Sequence, residues 1–298
     1  MPTLPTSLVK VKLIGDYMEK VDVVLLTYNC VSHWPGRRVL ELCLQSIVSN
    51  IPINKIIIVD GGSTDGTLEV ICRYLDSKCI NYYIIEDKYG TRASSRMLGI
   101  KAVETDYFIF VDTDCILCPG WYSKIRKCIR DNVGAVVGRD VPVILPRRHL
   151  EARMKVKRRF GKVALPKTSR KKAFTGNTLI LKEAIEGIKI PSYLHVGEDE
   201  YIRRFIESKG YKWIICNDAW CLHITKLHKP RDAYYQGISS YLFKTLTLKR
   251  LMLHVVTSIP KFTLVGYPDV GVTVFKLSLL RLLGYLKGML CVHEELWS

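Results

Sequence analysis

The chain has 298 residues, of which 48% are hydrophobic, and its 45 Lys and Arg residues outnumber its 28 Asp and Glu residues, giving a formal net charge of +17. This apolar content excludes a globally disordered chain, and the length suits one large α/β domain with an extension, or two modest domains. The charge predicts attraction to an anionic partner, which is a membrane surface, a nucleic acid or a phosphorylated substrate.

Three features of the chain bear on where the protein works. Residues 1–20 contain no apolar run long enough for the core of a signal peptide. No segment offers the roughly 18 uninterrupted apolar residues of a membrane-spanning helix. The ten cysteines are scattered through predicted strands and helices, as buried reduced thiols are. We therefore expect a cytoplasmic protein that is either soluble or attached to a membrane surface.

The first half of the chain alternates between short apolar runs and amphipathic segments. The predicted strands are 21–27, 55–60, 81–86, 107–111 and 134–137, and the helices between them are 39–48, 68–75, 93–103 and 121–129. This alternation predicts a largely parallel, doubly wound sheet built through right-handed crossovers. Ligands of such sheets bind beyond the carboxyl ends of the strands.

The character of the sequence changes near residue 145. Residues 146–172 are rich in Arg and Lys with little periodicity, which predicts a basic loop. A compact stretch follows, with strands predicted at 174–181, 211–216 and 219–224 and helices at 182–188 and 197–210. After it, apolar residues recur at helical spacing with interspersed Lys and Arg to the end, which predicts a helical region.

Polar residues follow three of the predicted strands, at ends that share one edge of a parallel sheet. They are Thr27, Tyr28 and Asn29 after the first strand, Asp60 after the second, and Asp112, Thr113 and Asp114 after the fourth. Asp112 and Asp114 lie two residues apart, so both can point the same way from an extended segment. Two adjacent carboxylates repel each other unless a cation lies between them, and Mg²⁺ or Mn²⁺ suits such oxygen ligands. A polar turn without a metal is the simpler interpretation of the same residues.

The second strand end continues into the segment GGSTDGT. Gly61 and Gly62 allow a tight turn and a close approach of the backbone, and residues 63–65 can cap the following helix. A capping turn does not explain Asp60, a carboxylate at the end of an apolar strand. Asp60 can accept a hydrogen bond from the N–H of a nucleotide base, and Tyr28 can stack on or flank the same base.

These motifs, in this order and spacing, resemble a family 2 glycosyltransferase with the GT-A fold. The strings TYN, VDGGSTDGT, Gly-x5-Arg-x2-Gly and FVDTD carry the resemblance, which covers residues 20–225. It implies an α/β, Rossmann-like fold with a mostly parallel central sheet flanked by helices and a C-terminal amphipathic helical extension. It also implies that a nucleotide-diphosphate sugar is bound by Thr27, Tyr28, Asn29, Asp60, Gly62, Ser63, Arg92, Arg96, Asp112, Thr113 and Asp114.

The resemblance and the change in composition together predict four regions. Residues 1–20 are an N-terminal extension, and residues 21–145 are the nucleotide-sugar-binding half of the GT-A domain. Residues 146–228 are the acceptor-binding half, which includes the basic loop 146–172. Residues 229–298 are a C-terminal helical region that can associate with a membrane.

The resemblance also implies a metal and a catalytic base. Asp112 and Asp114 match the family's DxD motif, so Mn²⁺ or Mg²⁺ is the expected cofactor, and His223 matches a residue that ligates metal in some relatives. Asp199 matches the residue that is usually the catalytic base in the family's Glu-Asp pair, with Glu198 beside it. The alternative interpretation is that the pair only places favourable negative charge at a helix N-terminus. The pair Gly176-Asn177 resembles the family's acceptor-side strand entry.

One base without a second carboxylate nucleophile suits a single displacement, and the resemblance likewise implies inversion at the anomeric carbon. The Glu-Asp pair favours a hydroxyl acceptor on a lipid-linked saccharide or another glycan, because the alternative acceptor, a polyprenyl phosphate, is already anionic. A UDP-sugar is favoured over a GDP-sugar as donor. The chain has no Gln-x-x-Arg-Trp segment of processive synthases, so we expect a non-processive enzyme.

The segment 275–290 has a broad apolar face and carries Lys276, Arg281 and Lys287. An amphipathic cationic helix of this type can lie in a membrane interface, and the basic loop points to the same anionic surface. We therefore expect peripheral attachment to the cytoplasmic face of a membrane. A helix packed on the catalytic domain or at a dimer seam is the alternative.

Two other classes of protein are compatible with part of the sequence. A nucleic-acid-binding protein would use the basic residues of 146–172, but it leaves the acidic strand ends unexplained because carboxylates repel phosphate. A nucleotidyltransferase would share the sheet and the metal. It would normally carry a Gly-rich, Arg-containing phosphate loop after the first strand, where this chain has TYNCVSHWPG.

Overall fold

The computed structural model describes residues 19–161, 173–226 and 230–291. The strands are β1 (Val21–Thr27), β2 (Ile53–Asp60), β3 (Tyr82–Glu86), β4 (Tyr107–Asp112), β5 (Cys115–Leu117), β6 (Val133–Leu145), β7 (Asn177–Leu181) and β8 (Lys212–Lys226). The helices are α1 (Arg37–Asn50), α2 (Thr67–Asp76), α3 (Arg92–Ala102), α4 (Trp121–Arg126), α5 (Arg147–Phe160), α6 (Lys182–Ile185), α7 (Glu198–Ser208), α8 (Pro230–Leu242), α9 (Leu248–Thr263) and α10 (Pro268–Cys291).

All eight strands belong to one sheet, in the order β3-β2-β1-β4-β7-β6-β8-β5. Strands β1 to β4 are parallel to one another, as are β6 and β8, whereas β7 runs antiparallel to β4 and β6, and β5 runs antiparallel to β8. The strand order reverses between β1 and β4. This switch point is where an open α/β sheet forms its ligand crevice.

The parallel strands β1, β2 and β4 are largely apolar and buried because helices cover both faces of the sheet, whereas β3 is partly exposed. On one face, α1, α2 and α4 contribute to a core cluster with the strands. On the other face, α3, α6 and α7 do the same. This layering explains why the first four strands and their connecting helices are found where their apolar patterns predict them, and it confirms the predicted fold class.

The basic segment differs from the prediction. Instead of a loop, residues 147–160 form α5, whose Ala152 and Val156 are fully buried against Phe262 and neighbouring residues of the C-terminal region. Only two residues of this Lys- and Arg-rich helix are buried, so its sequence shows little periodicity, and contacts with distant residues stabilise a helix that the pattern did not predict. Residues 162–172 of the predicted loop lie outside the described residues.

Smaller differences concern the part of the sheet beyond β4. The two closing strands predicted at 211–216 and 219–224 form one long strand, β8, and β6 continues to Leu145 beside it. The short strand β5 was not predicted, because its three residues are too few to show a pattern. The long β6–β8 pair carries Asp140 and His223 to the same edge as the end of β4.

The C-terminal region consists of α8, α9 and α10, and α8 crosses α10 at close range. A Cβ atom on Gly237 would overlap the carbonyl oxygen of Arg281, and one on Gly284 would overlap that of Tyr234. Arg281 was predicted on the cationic face of an amphipathic helix, but it is buried, hydrogen-bonded to Gln236, and burial lowers its pKa to about 10. Among the described residues, no helix combines the length and hydropathy needed to cross a bilayer.

We expect Gly284→Ala to destabilise the protein by about 2 kcal/mol or more, because the added methyl group would push α10 away from the backbone of α8. Thermal or urea unfolding followed by circular dichroism measures this effect. Gly288→Ala is the milder comparison on the same helix, since its Cβ would lie 3.1 Å from the Cβ of Tyr241, a tight contact that a shift of a few tenths of an ångström relieves. Equal losses in the two variants would contradict the close crossing.

Candidate active site

The turn after β2 is built around the buried carboxylate of Asp60. It accepts hydrogen bonds from Oγ1 of Thr27 (2.7 Å), from the backbone N–H groups of Gly62 (3.0 Å) and Ser63 (2.7 Å), and from Oγ of Ser63 (2.6 Å). A carboxylate has about four acceptor positions, so these donors occupy them. In this arrangement Asp60 positions the turn, and the base contact expected of it would have to displace one of these donors.

The loop after β1 is tied to the same turn by Asn29. Its Oδ1 accepts a hydrogen bond from the backbone N–H of Thr64 at 2.9 Å, and its own N–H donates to Oγ of Ser63 at 2.8 Å. Tyr28 projects from this junction with 63% of its surface exposed. Its ring lies over Gly61, where a Cβ would approach Cδ2 of Tyr28 to 3.3 Å. The junction therefore presents a flat aromatic surface at the crevice.

Strand register places Asp60 and Asp112 at the same edge of the sheet. Within the ladders, Thr27 of β1 pairs with Asp60 of β2, and Leu26 of β1 pairs with Asp112 of β4. Since neighbouring strands are about 4.8 Å apart, the two acidic residues flank the end of β1 at about 10 Å. Asp114 follows Asp112 after a tight turn, before β5.

Arg96 of α3 lies at the centre of the site, with only 3% of its surface exposed. Its Nη2 is 3.2 Å from Oδ1 of Asp112 and 3.4 Å from Oδ1 of Asp199, and its Nε is 3.5 Å from Oε1 of Glu198. Burial alone would lower the pKa of Arg96, but the three carboxylates raise it. The residue was expected to reach the diphosphate, whereas here it joins the ends of β4 and α7.

Asp199 has the properties of a group that can exchange a proton near neutral pH. Burial and the charge of Glu198 raise the pKa of Asp199 to about 6, although Arg96 and a hydrogen bond from Oγ1 of Thr175 oppose the shift. About a quarter of the side-chain surface of Asp199 remains exposed, in contrast to the buried Glu198. A general base works best when its pKa lies near the operating pH.

A carboxylate that is not among the predicted site residues, Asp87, holds the start of α3 in place. It is buried directly after β3 and accepts hydrogen bonds from Oγ of Ser94 (2.7 Å), Oγ of Ser95 (2.6 Å) and the N–H of Tyr89 (3.0 Å). The same signal that marked Asp60, an acidic residue at the end of an apolar strand, could have identified it. By fixing the first turn of α3, Asp87 sets the position from which Arg96 reaches the carboxylates.

Arg92 was predicted on the donor side, and Gly176 and Asn177 on the acceptor side; each of the three contacts other parts of the protein. Arg92 is half-exposed, and its Nη2 binds Oδ2 of Asp232 at the start of α8, 3.2 Å away. The carbonyl oxygen of Gly176 accepts the N–H of Asp112 at 3.0 Å, and a Cβ on Gly176 would collide with the Asp112 carboxylate. Asn177 is fully buried within the sheet, so its side chain does not line an acceptor cleft.

A second cluster of polar side chains forms where β5 meets β8. Ligand atoms of Asp114, Cys115 and His223 all lie within 4.8 Å of one another. The Nε2 atom of His223 is 3.6 Å from Oδ2 of Asp114, and its Nδ1 is 3.6 Å from Oδ2 of Asp140. The indole N–H of Trp34 donates to Oδ2 of Asp114 at 3.3 Å. Burial alone would lower the pKa of His223, but Asp114 raises it.

The chemistry of this donor set fits a divalent cation. Carboxylate oxygen and imidazole nitrogen are ligands that Mn²⁺ accepts, and the negative potential of Asp112 adds to the attraction. Burial raises the pKa of the Cys115 thiol well above its ordinary value, so this group stays protonated and is a poor ligand. Asp114 and His223 are thus brought together as predicted, whereas an oxygen of Asp112 is turned to Arg96.

The sequence is similar to those of known glycosyltransferases. The model for "Glycosyl transferase family 2" matches residues 22–188. Glycosyltransferase AglE of Haloferax volcanii is 22% identical over 258 residues, which cover 83% of this chain and 81% of AglE. An N-acetylglucosaminyltransferase of Azorhizobium caulinodans is 29% identical over 125 residues, which cover 41% of this chain and 30% of that enzyme.

Solved glycosyltransferase structures share the fold. The mannosyltransferase PcManGT from Pyrobaculum calidifontis, in complex with GDP-Man and Mn²⁺, aligns with a TM-score of 0.58 and 16% identity over 92% of this chain and 88% of that one. GalNAc-T7 with UDP, GalNAc and Mn²⁺ aligns with a TM-score of 0.55 and 16% identity over 84% and 50%. The fold is therefore that of GT-A glycosyltransferases. Because the family match spans more than half of the chain, the protein belongs to glycosyl transferase family 2 and is a glycosyltransferase.

Proposed function

We propose that this enzyme is an inverting, metal-dependent, non-processive glycosyltransferase. Its donor is a nucleotide-diphosphate sugar, UDP-linked in preference to GDP-linked, and its acceptor is a hydroxyl group of a lipid-linked saccharide or another glycan. One observation carries the proposal: Asp199, with its pKa raised to about 6, lies beside Arg96 and Asp112 at the sheet edge where the Asp114–His223 pair also lies.

The donor side of the proposal rests on the junction that carries Tyr28 and on the Asp114–His223 cluster. The exposed ring of Tyr28 is available to the base, and Asn29 and Ser63 shape the loop beside it. Asp114 and His223 would hold a divalent cation, which when bound neutralises charge on the leaving diphosphate. The structural neighbours PcManGT and GalNAc-T7, solved with GDP-Man or UDP and with Mn²⁺, support this class of donor and cofactor.

The acceptor side rests on Asp199. Its ionised carboxylate accepts the proton of the acceptor hydroxyl while that oxygen attacks the anomeric carbon and the bond to the diphosphate breaks. Thr175 and Arg96 hold the carboxylate in place by a hydrogen bond and an ion pair. A single displacement inverts the anomeric configuration. A polyprenyl phosphate acceptor would make this base unnecessary, because its attacking oxygen is already ionised.

We also propose that the enzyme acts from the cytoplasmic face of a membrane, to which it attaches peripherally. The support is the large number of exposed apolar side chains on α9 and α10, on the same extension that packs beside the catalytic domain. A lipid-linked acceptor would be reached at that surface.

We expect a UDP-sugar to raise the melting temperature in the presence of Mn²⁺ and to have little effect in its absence. Without the cation, the negatively charged diphosphate would be repelled by the carboxylates of the site. A thermal-shift panel of UDP- and GDP-sugars, each with and without Mn²⁺, measures this. The double variant Asp114→Asn/His223→Ala should lose the Mn²⁺-dependent part of the shift. If no nucleotide stabilises the wild type under either condition, the donor assignment is wrong.

The variant Asp199→Asn should retain stabilisation by the donor and lose transfer to a hydroxyl acceptor by about a hundredfold or more in kcat, since the proton acceptor is gone. Asp218→Asn, at an exposed residue of β8 where the strand register is irregular, is the matched control and should transfer at the wild-type rate. Undiminished turnover by Asp199→Asn would mean that another group activates the acceptor, or that the acceptor is already ionised.

The pH dependence of transfer follows from the ionisation of Asp199. Asp199 must be ionised to accept a proton, so kcat/KM should rise with pH through about 6 and then level off. The Thr175→Val variant removes a hydrogen bond that lowers this pKa, so the rising limb should move to higher pH. Transfer rates between about pH 5 and pH 8 measure both effects, and a flat wild-type profile would contradict the assignment.

A further inference from the structure

Helix α9 exposes an apolar face that no described part of the protein covers. Its buried residues, Leu251, Ser258 and Phe262, lie on one side and pack towards α10 and α5. The opposite side of the helix and its C-terminal end expose the large apolar residues Met252, Leu253, Val256, Ile259 and Leu264. Val256, in the middle of this stripe, has 72% of its surface exposed. Contiguous apolar surface of this kind marks an interaction site.

Helix α10, which packs against α9 to form a helical hairpin, also has one buried side and one exposed apolar side. One side packs on α8 and α9, with Val270, Val274 and Leu277 buried. The outward side carries large apolar residues at spacings of three, four or seven positions, namely Val272, Leu279, Leu283, Leu286 and Leu290. The exposed Lys276 lies within this stripe. The α9–α10 hairpin thus presents two apolar stripes interrupted by a positive charge.

The charges around the hairpin are of one sign. Residues 248–291 contain one acidic residue, Asp269, and the basic residues Lys249, Arg250, Lys261, Lys276, Arg281 and Lys287. Asp269 already binds Nη2 of Arg148 in α5 at 2.9 Å. Apart from Arg281, which is buried, these basic residues leave the hairpin with a net positive surface.

Helix α5 adds more positive charge at the end of the same hairpin. It has a single acidic residue, Glu151, among the basic residues Arg147, Arg148, Arg153, Lys155, Lys157, Arg158 and Arg159. The Nη1 atom of Arg159 donates to the carbonyl oxygen of Leu264 at 3.0 Å, and Nζ of Lys155 lies 5.0 Å from the ring centroid of Tyr267. The basic helix therefore adjoins the turn of the apolar hairpin.

This combination favours an anionic bilayer over a second copy of the chain. In a symmetric dimer the same surface meets itself, so the cations of one hairpin would face those of the other, with Asp269 already paired. An anionic bilayer instead offers apolar acyl chains to the stripes and negative headgroups to the cations, as it does for interfacial helices.

We propose that α9, α10 and α5 form a docking surface for an anionic lipid bilayer. The exposed apolar side chains of the hairpin enter the boundary between headgroups and acyl chains, and the Lys and Arg side chains of α5 and the hairpin contact the headgroups. This inference rests on the membrane attachment proposed above and identifies the residues that produce it. It does not depend on the donor, the metal or the acceptor.

Flotation of the full chain with vesicles tests the proposal. Vesicles of phosphatidylcholine with phosphatidylglycerol should capture the protein, less so at high salt, and phosphatidylcholine alone should capture much less. The double variant Val256→Asp/Leu283→Asp should lower the partition coefficient about tenfold or more, because each charge enters the apolar boundary. The matched control is Tyr83→Asp, at a 58%-exposed aromatic residue of β3, and should bind as the wild type does.

A second variant separates charge from folding. Lys276→Glu should weaken capture by anionic vesicles and leave the weak capture by neutral vesicles unchanged. Unfolding temperature and donor-induced stabilisation, measured on every variant, show whether the fold and the nucleotide site are intact. Failure of the wild type to bind anionic vesicles, or equal binding by Val256→Asp/Leu283→Asp, would overturn the docking surface while leaving the glycosyltransferase proposal standing. Self-association abolished by Leu283→Asp, without vesicle binding, would assign the face to a second copy.

Discussion

The buried guanidinium of Arg96 is the interaction on which the candidate active site depends. It lies between Asp112 at the end of β4 and the Glu198-Asp199 pair at the start of α7. Three carboxylates this close together, one buried and two partly buried, would repel one another without a cation, and their mutual repulsion would drive protons onto them. One Arg among them offsets part of that repulsion, so Asp199 keeps a raised pKa and still has an ionised form at neutral pH. The same contact fixes the helix that carries Asp199 against the strand that leads to Asp114.

Four carboxylates near the crevice differ in function because their local partners differ. Asp60 and Asp87 each accept several short hydrogen bonds from neighbouring backbone or hydroxyl groups, which makes them organisers of the turn after β2 and of the first turn of α3. Asp114 contacts an imidazole and an indole, an environment that leaves it open to a cation. Asp199 is held by one hydroxyl and one guanidinium, with part of its side chain exposed. The hydrogen-bond and ion-pair partners of each Asp, more than the residue type, determine what its carboxylate can do.

The C-terminal extension connects the catalytic domain to the surface proposed for lipid docking. Helix α8 packs closely on α10 through Gly237 and Gly284, and its first turn carries Asp232, which binds Arg92 of α3. The extension therefore contacts an element of the candidate active site. A bilayer bound to α9 and α10 would therefore be connected to α3 through α8 and the Asp232–Arg92 ion pair.

Local patterns determined much of this protein: continuous apolar runs and helical spacings located the four parallel strands and their helices, and the strand-end motifs indicated the family. The resemblance to that family made Tyr28, Asp114, Asp199 and His223 candidate site residues. Contacts between distant segments decided the rest. The basic segment became α5 because Ala152 and Val156 pack on residues more than a hundred positions away. The burial of Arg281 and Asn177, and the bridge that Arg96 makes, likewise depend on partners that lie elsewhere in the chain. The periodicity of a sequence shows which face of a helix or strand is buried, but it does not show which distant residues that face contacts. Those contacts set the charge, the pKa values and the solvent access of the site.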